Sequence, residues 1–295
     1  MKAVAFTEFG GPEVLRVLDL PEPHAGPGEV RVRVKAAGVQ PFDAAVRAGW
    51  EPPHLSLGWP RVPGNEFAGV VDEGELEPGT EVLGFTAVQA AAEYIVVPAT
   101  DVTPKPPEMP WDVAGGFTAG TQTASIALEV LRLREGETLL VHAAAGSVGT
   151  AAVQLAKLMG ATVVGTASEA NQDYLRELGA TPVVYGPGLR DRLAPLGIDV
   201  VLDGAGGEAL DVSLELVRDR TRILTLVDHD RAADLGVLVS KSGRSAARLA
   251  ELAALYAKGD LRFHVRRAYP YTEAVAAHRE IETGHGRGKI VLMFP

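Results

Sequence analysis

The 295-residue sequence contains no cysteine. That removes disulfide frameworks, thiolate zinc sites and cysteine nucleophiles together. No uninterrupted apolar run approaches membrane-spanning length. The opening Met1-Lys2-Ala3-Val4-Ala5-Phe6-Thr7-Glu8 meets polar residues too soon to form the apolar centre of a secretory signal. A cytoplasmic location with no membrane partner is therefore expected. Basic runs are also missing and the formal net charge is −10, so nucleic acid is not an expected partner. His24, His54, His142, His229, His264, His278 and His285 show no H-x-x-x-H or comparable metal spacing, and no metal site is expected.

What is present is a globular composition, with 46% hydrophobic and 22% charged residues, on a chain long enough for two domains. The first third is rich in glycine and proline. In Glu29-Val30-Arg31-Val32-Arg33-Val34-Lys35 valines alternate with charges, the period of a half-exposed strand. Turn clusters at Gly10-Gly11-Pro12, Pro21-Glu22-Pro23 and Gly26-Pro27-Gly28 separate such runs. From Asp112 the pattern becomes an alternation of strands and helices. Strands are predicted over 138–142, 162–166, 182–185, 199–203 and 222–227, and helices over 111–133, 147–159, 169–178, 208–217 and 246–258. This is the pattern of a doubly wound parallel sheet. After Gly259 the tail, with a helix over 272–282 and a strand over 289–293, is too short to fold alone and is expected to complete the first domain. The predicted division is 1–111 with 259–295, and 112–258.

The segment most able to carry chemistry is Val141-His142-Ala143-Ala144-Ala145-Gly146-Ser147-Val148-Gly149-Thr150, a strand end, a tight turn and a helix start. Gly146 would let backbone approach a pyrophosphate and Gly149 would let the helix pack closely on the strand, with free N–H groups facing phosphate. Ala144 stands where a G-x-G-x-x-G pattern has its first glycine. By itself the segment fits either a dinucleotide cradle or a small-residue packing turn.

Several segments in order resemble one family, the zinc-less (zeta-crystallin-like) quinone oxidoreductases of the medium-chain dehydrogenase/reductase superfamily. They are Phe9-Gly10-Gly11-Pro12-Glu13-Val14-Leu15, Gly26-Pro27-Gly28-Glu29-Val30, Ala37-Gly38-Val39-Gln40-Pro41-Phe42-Asp43 and Val62-Pro63-Gly64-Asn65-Glu66-Phe67-Ala68-Gly69. They continue with Ala92-Glu93-Tyr94, the turn at 143–149, Leu202-Asp203-Gly204-Ala205-Gly206-Gly207 and Gly286-Arg287-Gly288-Lys289-Ile290-Val291. The resemblance implies an α/β protein with a GroES-like β-rich catalytic domain and a Rossmann coenzyme domain. It also implies hydride transfer from NADPH to a quinone or α,β-unsaturated carbonyl. In that setting the turn matches the family's A-x-x-G-x-V-G form.

Zinc-dependent relatives place cysteine where Gln40 stands and histidine where Asn65 stands; the amides here are poor zinc ligands. Without a Lewis acid, a carbonyl oxygen must be polarised by hydrogen bonds or a proton donor. The resemblance makes Gln40, Asn65 and Thr123 the expected substrate- and nicotinamide-side residues, with Glu66 beside them. Gln40, Glu66 and Thr123 also have plain structural readings: an amide closing a turn, a buried carboxylate, and a helical threonine bonded to its own backbone.

For the coenzyme, the expected contacts are Ala145, Gly146, Ser147, Val148 and Gly149 at the pyrophosphate. Ser168 and Tyr185 are expected on the adenosine side. Ala167 stands where NAD-specific folds carry an acid, which favours NADPH, with NADH an open alternative. The family's downstream basic residue is replaced by Asn171, so Lys289 or Arg287 is offered as a compensating cation. The turn Asp219-Arg220-Thr221-Arg222 replaces a Gly-Gly-Arg and is expected to be rebuilt. A homodimer through the edge strand 222–226 is implied by resemblance. Two other functions stay open: a natural-product enoyl or tailoring reductase, and a catalytically silent NADP(H)-binding sensor or structural protein.

Overall fold

The structure, a computed structural model, describes residues 1–51, 57–240 and 243–295, so His54 lies outside the described residues. The chain forms two compact units. One comprises Met1–Ala119, Ser245–Ala257 and His264–Pro295, the other Gly120–Arg244 and Lys258–Phe263.

The first unit begins with the antiparallel pair β1 (Lys2–Ala5) and β2 (Arg16–Asp19). There follow β3 (Glu29–Val39), α1 (Pro41–Arg47), β4 (Glu66–Gly74), β5 (Glu81–Phe85), β6 (Tyr94–Pro98), β7 (Val102–Pro104) and the first nine residues of the helix α2 (Trp111–Val130), whose remainder from Gly120 belongs to the second unit. Along β3, Val30, Val32 and Val34 are buried while Arg31 and Lys35 are half-buried and Arg33 exposed, as the alternation requires. Its last four residues are all buried. There β3 lies between β4 and the strand that closes the chain, pairing Val291 with Gly38 on one side and Phe67 with Ala37 on the other. Val30, Val32, Phe67, Val82 and Leu292 belong to one hydrophobic core.

The second unit carries β8 (Thr138–Val141), α3 (Ser147–Leu158), β9 (Thr162–Ala167), α4 (Gln172–Glu177), β10 (Thr181–Val184), α5 (Leu189–Leu193), β11 (Val200–Asp203), α6 (Gly207–Leu216), β12 (Ile223–Thr225), α7 (His229–Leu235) and β13 (Leu238–Val239). Its six strands form one parallel sheet in the order β10-β9-β8-β11-β12-β13. The expected doubly wound alternation is therefore present. One expectation is corrected: the strand over 222–226 is not an edge. β12 is hydrogen-bonded on both sides, and the two-residue β13 takes the outer position.

The tail contributes α8 (Ala246–Lys258), β14 (Val265–Pro270), α9 (Ala274–Glu282) and β15 (Lys289–Met293). β14 and β15 extend the first unit's sheet, whose order is β14-β15-β3-β4-β5-β7 with β6 paired to β3. The tail thus completes the first unit by strand addition. In the turn at 219–222, Asp219 Oδ1 accepts from the Thr221 N–H at 3.0 Å and from its hydroxyl at 2.7 Å, capping one 3-10 turn. None of these four residues adopts positive φ.

Candidate functional site

The turn between β8 and α3 shows how an alanine replaces a fingerprint glycine. Ala144 donates its N–H to Thr166 O at 3.0 Å and is fully buried. A Cβ at Gly165 would lie 2.9 Å from the Ala144 methyl, so the space missing in the turn is supplied by a glycine on β9. The left-handed conformation falls instead on Ala143, at φ 55°. Gly146 is the N-cap of α3 in an extended conformation, and it has no side chain to cap the helix. A Cβ at Gly149 would sit 2.5 Å from Ala143 O and 2.6 Å from Ala144 Cα, so only glycine lets α3 approach the turn this closely.

Ala145 is buried, while Gly146, Ser147 and Val148 are half-buried. The α3 N-terminus therefore meets an accessible surface with its first N–H groups uncommitted to helix bonds, the arrangement that suits a phosphate. Gly120 on α2 lies against this turn, where a Cβ would come within 3.2 Å of Ser147. Thr123 follows three residues later on the same helix face, half-buried. A dinucleotide pyrophosphate fits this cradle by shape and by polarity.

Ser168 follows β9 and Tyr185 follows β10, at adjacent strand ends in the register Val184 opposite Ala167. Ser168 Oγ accepts from Asn171 Nδ2 at 3.1 Å, which leaves its hydroxyl hydrogen for another partner. Tyr185 is exposed. A cation that sequence reasoning misses also lies here. Arg192, from the short α5, donates to the carbonyls of Val184 at 3.1 Å, Pro187 at 2.9 Å and Gly186 at 3.0 Å. Only the tertiary fold of that five-residue helix brings the charge to β10, so no spacing in the sequence announces it.

In the first unit, Gln40, Asn65, Glu66 and Lys289 form one polar cluster at the end of the sheet where β3 finishes and β4 and β15 begin. Lys289, offered from the sequence as a cation for a 2′-phosphate, has a fully buried ammonium committed elsewhere. It pairs with the equally buried Glu66 carboxylate and donates to Gln40 Oε1 at 2.8 Å. Gln40 Nε2 in turn donates to Asn65 Oδ1. The second Glu66 oxygen accepts from the Ala119 N–H at 2.5 Å. Two glycines make the space: a Cβ at Gly38 would lie 2.1 Å from Glu66 Oε1, and one at Gly116 2.7 Å from Lys289 Cγ.

Asp43 braces the same corner from within α1, accepting from the Gln40 N–H and the Gly64 N–H, each at 3.0 Å. Burial pushes its carboxyl up to about 7, against the opposing pull of Lys289 and those two N–H bonds. A buried ammonium 2.8 Å from Gln40 Oε1 also decides what Gln40 and Asn65 cannot hold. A divalent cation would face a fixed positive charge and two amide oxygens already accepting hydrogen bonds. Among the described residues no cluster of three metal-ligating side chains occurs.

His142 is packed beneath the turn. Nδ1 meets Thr166 Oγ1 and Nε2 meets Ser213 Oγ, both at 2.9 Å, and since Ser213 donates to Ala209 O the ring is the donor at Nε2. Burial holds the imidazole down at about 4, so it is neutral and structural. Asp203, also buried, accepts from the N–H groups of Ala205 and Gly206 at 2.9 Å and from the Thr225 hydroxyl at 2.8 Å. It ties the carboxyl ends of β11 and β12 together.

The alcohol dehydrogenase GroES-like domain family matches residues 26–107, and the zinc-binding dehydrogenase family matches residues 178–292. The solved quinone oxidoreductase from Coxiella burnetii is 29% identical, with a TM-score of 0.90 over 100% of this chain and 99% of that one. A mycobacterial structure complexed with NADPH is 28% identical, with a TM-score of 0.86 over 100% of both chains. The spectinabilin polyketide synthase system protein NorB of Streptomyces orinoci is 35% identical over 91% of this chain and 13% of its own length. The chain spans between 8% and 54% of the first three curated relatives it matches. The GroES-like β domain and the Rossmann-type parallel sheet are thus both present, and the chain belongs to the quinone oxidoreductase-like branch of the medium-chain dehydrogenase/reductase superfamily.

Proposed function

We propose that this chain is an oxidoreductase that delivers hydride from NADPH to a quinone or an α,β-unsaturated carbonyl without zinc, as a cytoplasmic homodimer. The β8–α3 turn carries the reading: Gly149 packs α3 onto Ala143 and Ala144 so closely that the helix N-terminus becomes a pyrophosphate cradle. Ala145 to Gly149 would hold the pyrophosphate. The Ser168 hydroxyl, the exposed Tyr185 and the nearby Arg192 favour a 2′-phosphate, with no carboxylate at Ala167 to repel it. NADPH, when bound, supplies the hydride equivalent. Thr123 would orient the nicotinamide carboxamide, and Gln40 and Asn65 would meet the substrate carbonyl as amides rather than metal ligands. The outer strand β13 is the surface through which two copies would pair.

The polyketide synthase relative favours a second reading in the same chemistry, an enoyl or tailoring reductase with one natural-product substrate. Mixing the protein with NADPH and a panel of quinones and enones, and following reduced-nicotinamide absorbance, decides between them. Turnover of both classes supports a quinone reductase, whereas enones alone support the tailoring enzyme. NADPH binding with no oxidation by any acceptor rejects both in favour of a silent binding protein.

A further inference from the structure

Lys289 carries a buried charge, and beside its ion pair with Glu66 its ammonium donates to Gln40 Oε1 at 2.8 Å. An ammonium has only donors, so the Gln40 atom facing it is necessarily the carbonyl oxygen. The amide nitrogen is thereby turned to Asn65, whose facing atom accepts and is Oδ1. A glutamine amide has nearly the same shape in either orientation, and local packing alone rarely chooses one. Here a buried cation chooses it. The reversed amide would place an NH₂ group against the ammonium and offer a lone pair where an N–H now stands.

We infer that Lys289 is a positioning residue which, acting through Gln40, locks the Gln40–Asn65 amide pair so that an amide N–H faces the oxygen of a bound carbonyl. One Nε2 hydrogen is used on Asn65 and the second is left for that oxygen. The assignment rests on the proposed reductase reading, in which hydride adds to the β-carbon of an enone or to a quinone. A new C–H bond forms as a C–H bond of the NADPH nicotinamide breaks, so that the coenzyme is oxidised to NADP⁺ and the acceptor reduced; the conjugated π electrons shift, and the carbonyl oxygen takes the negative charge before a proton arrives from water. A donor aimed at that oxygen gains strength as charge grows, and the cation behind it polarises the amide in the same sense. The buried charge of Lys289 thus does at one remove what a metal does by contact. Glu66, held by the Ala119 N–H, keeps that ammonium balanced.

The inference is tested on coenzyme-free protein with 4-nitrophenol, whose ionised and neutral forms absorb differently and bear an oxygen like the one that gains charge. The wild type is expected to bind phenolate over neutral phenol by about tenfold. Gln40→Leu abolishes the preference and Lys289→Arg retains it. Because Lys289→Gln alone strands the Glu66 charge, the decisive variant is the double replacement Lys289→Gln with Glu66→Gln, checked for folding by circular dichroism. Loss of the phenolate preference at unchanged affinity for the neutral phenol supports the assignment. Equal weakening of both forms, as a merely structural role predicts, overturns it, and so does an unchanged preference. A wild type that prefers phenolate but transfers no hydride from NADPH to any quinone or enone rejects the reductase reading and leaves the oriented amide standing. Turnover by a wild type whose preference survives the double replacement does the reverse.

Discussion

Gly146 and Gly149 lie three residues apart in one turn, yet replacing each by alanine should fail differently. At Gly149 the added Cβ would stand 2.5 Å from Ala143 O, where ordinary contact begins at 3.4 Å, so α3 must retreat by about 0.9 Å. The neighbours are backbone atoms and cannot rotate away. Overpacking of this kind costs about 1–3 kcal/mol of stability. The helix N-terminus moves with it, and forfeiting one charge-assisted bond to phosphate weakens NADPH binding roughly ten- to a hundredfold. At Gly146 the nearest atom is Ala143 O at 3.3 Å and the backbone is extended, so alanine is accommodated once that neighbour gives by about 0.1 Å. The poorer N-cap and the stiffer unfolded chain offset each other to within about 1 kcal/mol. The methyl nonetheless occupies the space through which pyrophosphate reaches the helix, so Gly146→Ala should lose at least about tenfold in affinity with its fold intact. Nicotinamide fluorescence titration reads the binding, and urea unfolding reads the stability. Gly146→Ala with wild-type NADPH affinity would refute the placement of the pyrophosphate, and Gly149→Ala with an unchanged urea midpoint would refute the packing argument.

Acid should weaken the protein less than its buried histidines alone suggest. His142, at about 4, and His278, held by burial and Arg47 at about 3, both stay neutral below the 6.5 at which an unfolded chain takes up the proton. Each therefore costs about 2 kcal/mol between pH 7 and pH 5. Asp43 works oppositely: at about 7 it gains its proton in the folded state well before an unfolded aspartate does at 3.8, which returns about 2–3 kcal/mol over the same interval. Asp43→Asn should consequently show a steeper loss of stability from pH 7 to pH 5 than the wild type. Parallel curves of urea midpoint against pH would contradict that account. Asp203→Ala strands three donors at the ends of β11 and β12. A destabilisation of about 3 kcal/mol or more is expected by chemical denaturation, and one below about 1 kcal/mol would show that water replaces the carboxylate.

Strong local periodicity made the larger elements legible. α8 was expected over the residues it occupies, and β15 likewise, because both pair a clear apolar pattern with a sharp glycine boundary. α5, α7 and β13 escaped because five, seven and two residues are too few for a period to declare itself. The missing β13 in turn made β12 look like an edge. In the candidate site, Gln40 and Asn65 could be picked out through the family resemblance, but Lys289 beside Arg287 and Gly288 reads as an exposed charge. Its burial depends on Glu66 from another strand and on cavities left by Gly38 and Gly116, none of which is a local property. Arg192 was hidden for the same reason. The turn at 143–149 carried its pattern in plain view, while the compensation for Ala144 lay on β9 at Gly165.

The corner built by Gly38, Glu66, Gly116 and Lys289 also constrains how this protein can change. A side chain at either glycine collides with one member of the ion pair, and loss of either charge strands the other in the interior at a cost of about 3–5 kcal/mol. No single step leads from this arrangement to an uncharged one without passing through a damaged intermediate. The four positions are therefore expected to be inherited, or exchanged in a design, as one block. A graft that moves the lysine without its glycines would import a charge with nowhere to go.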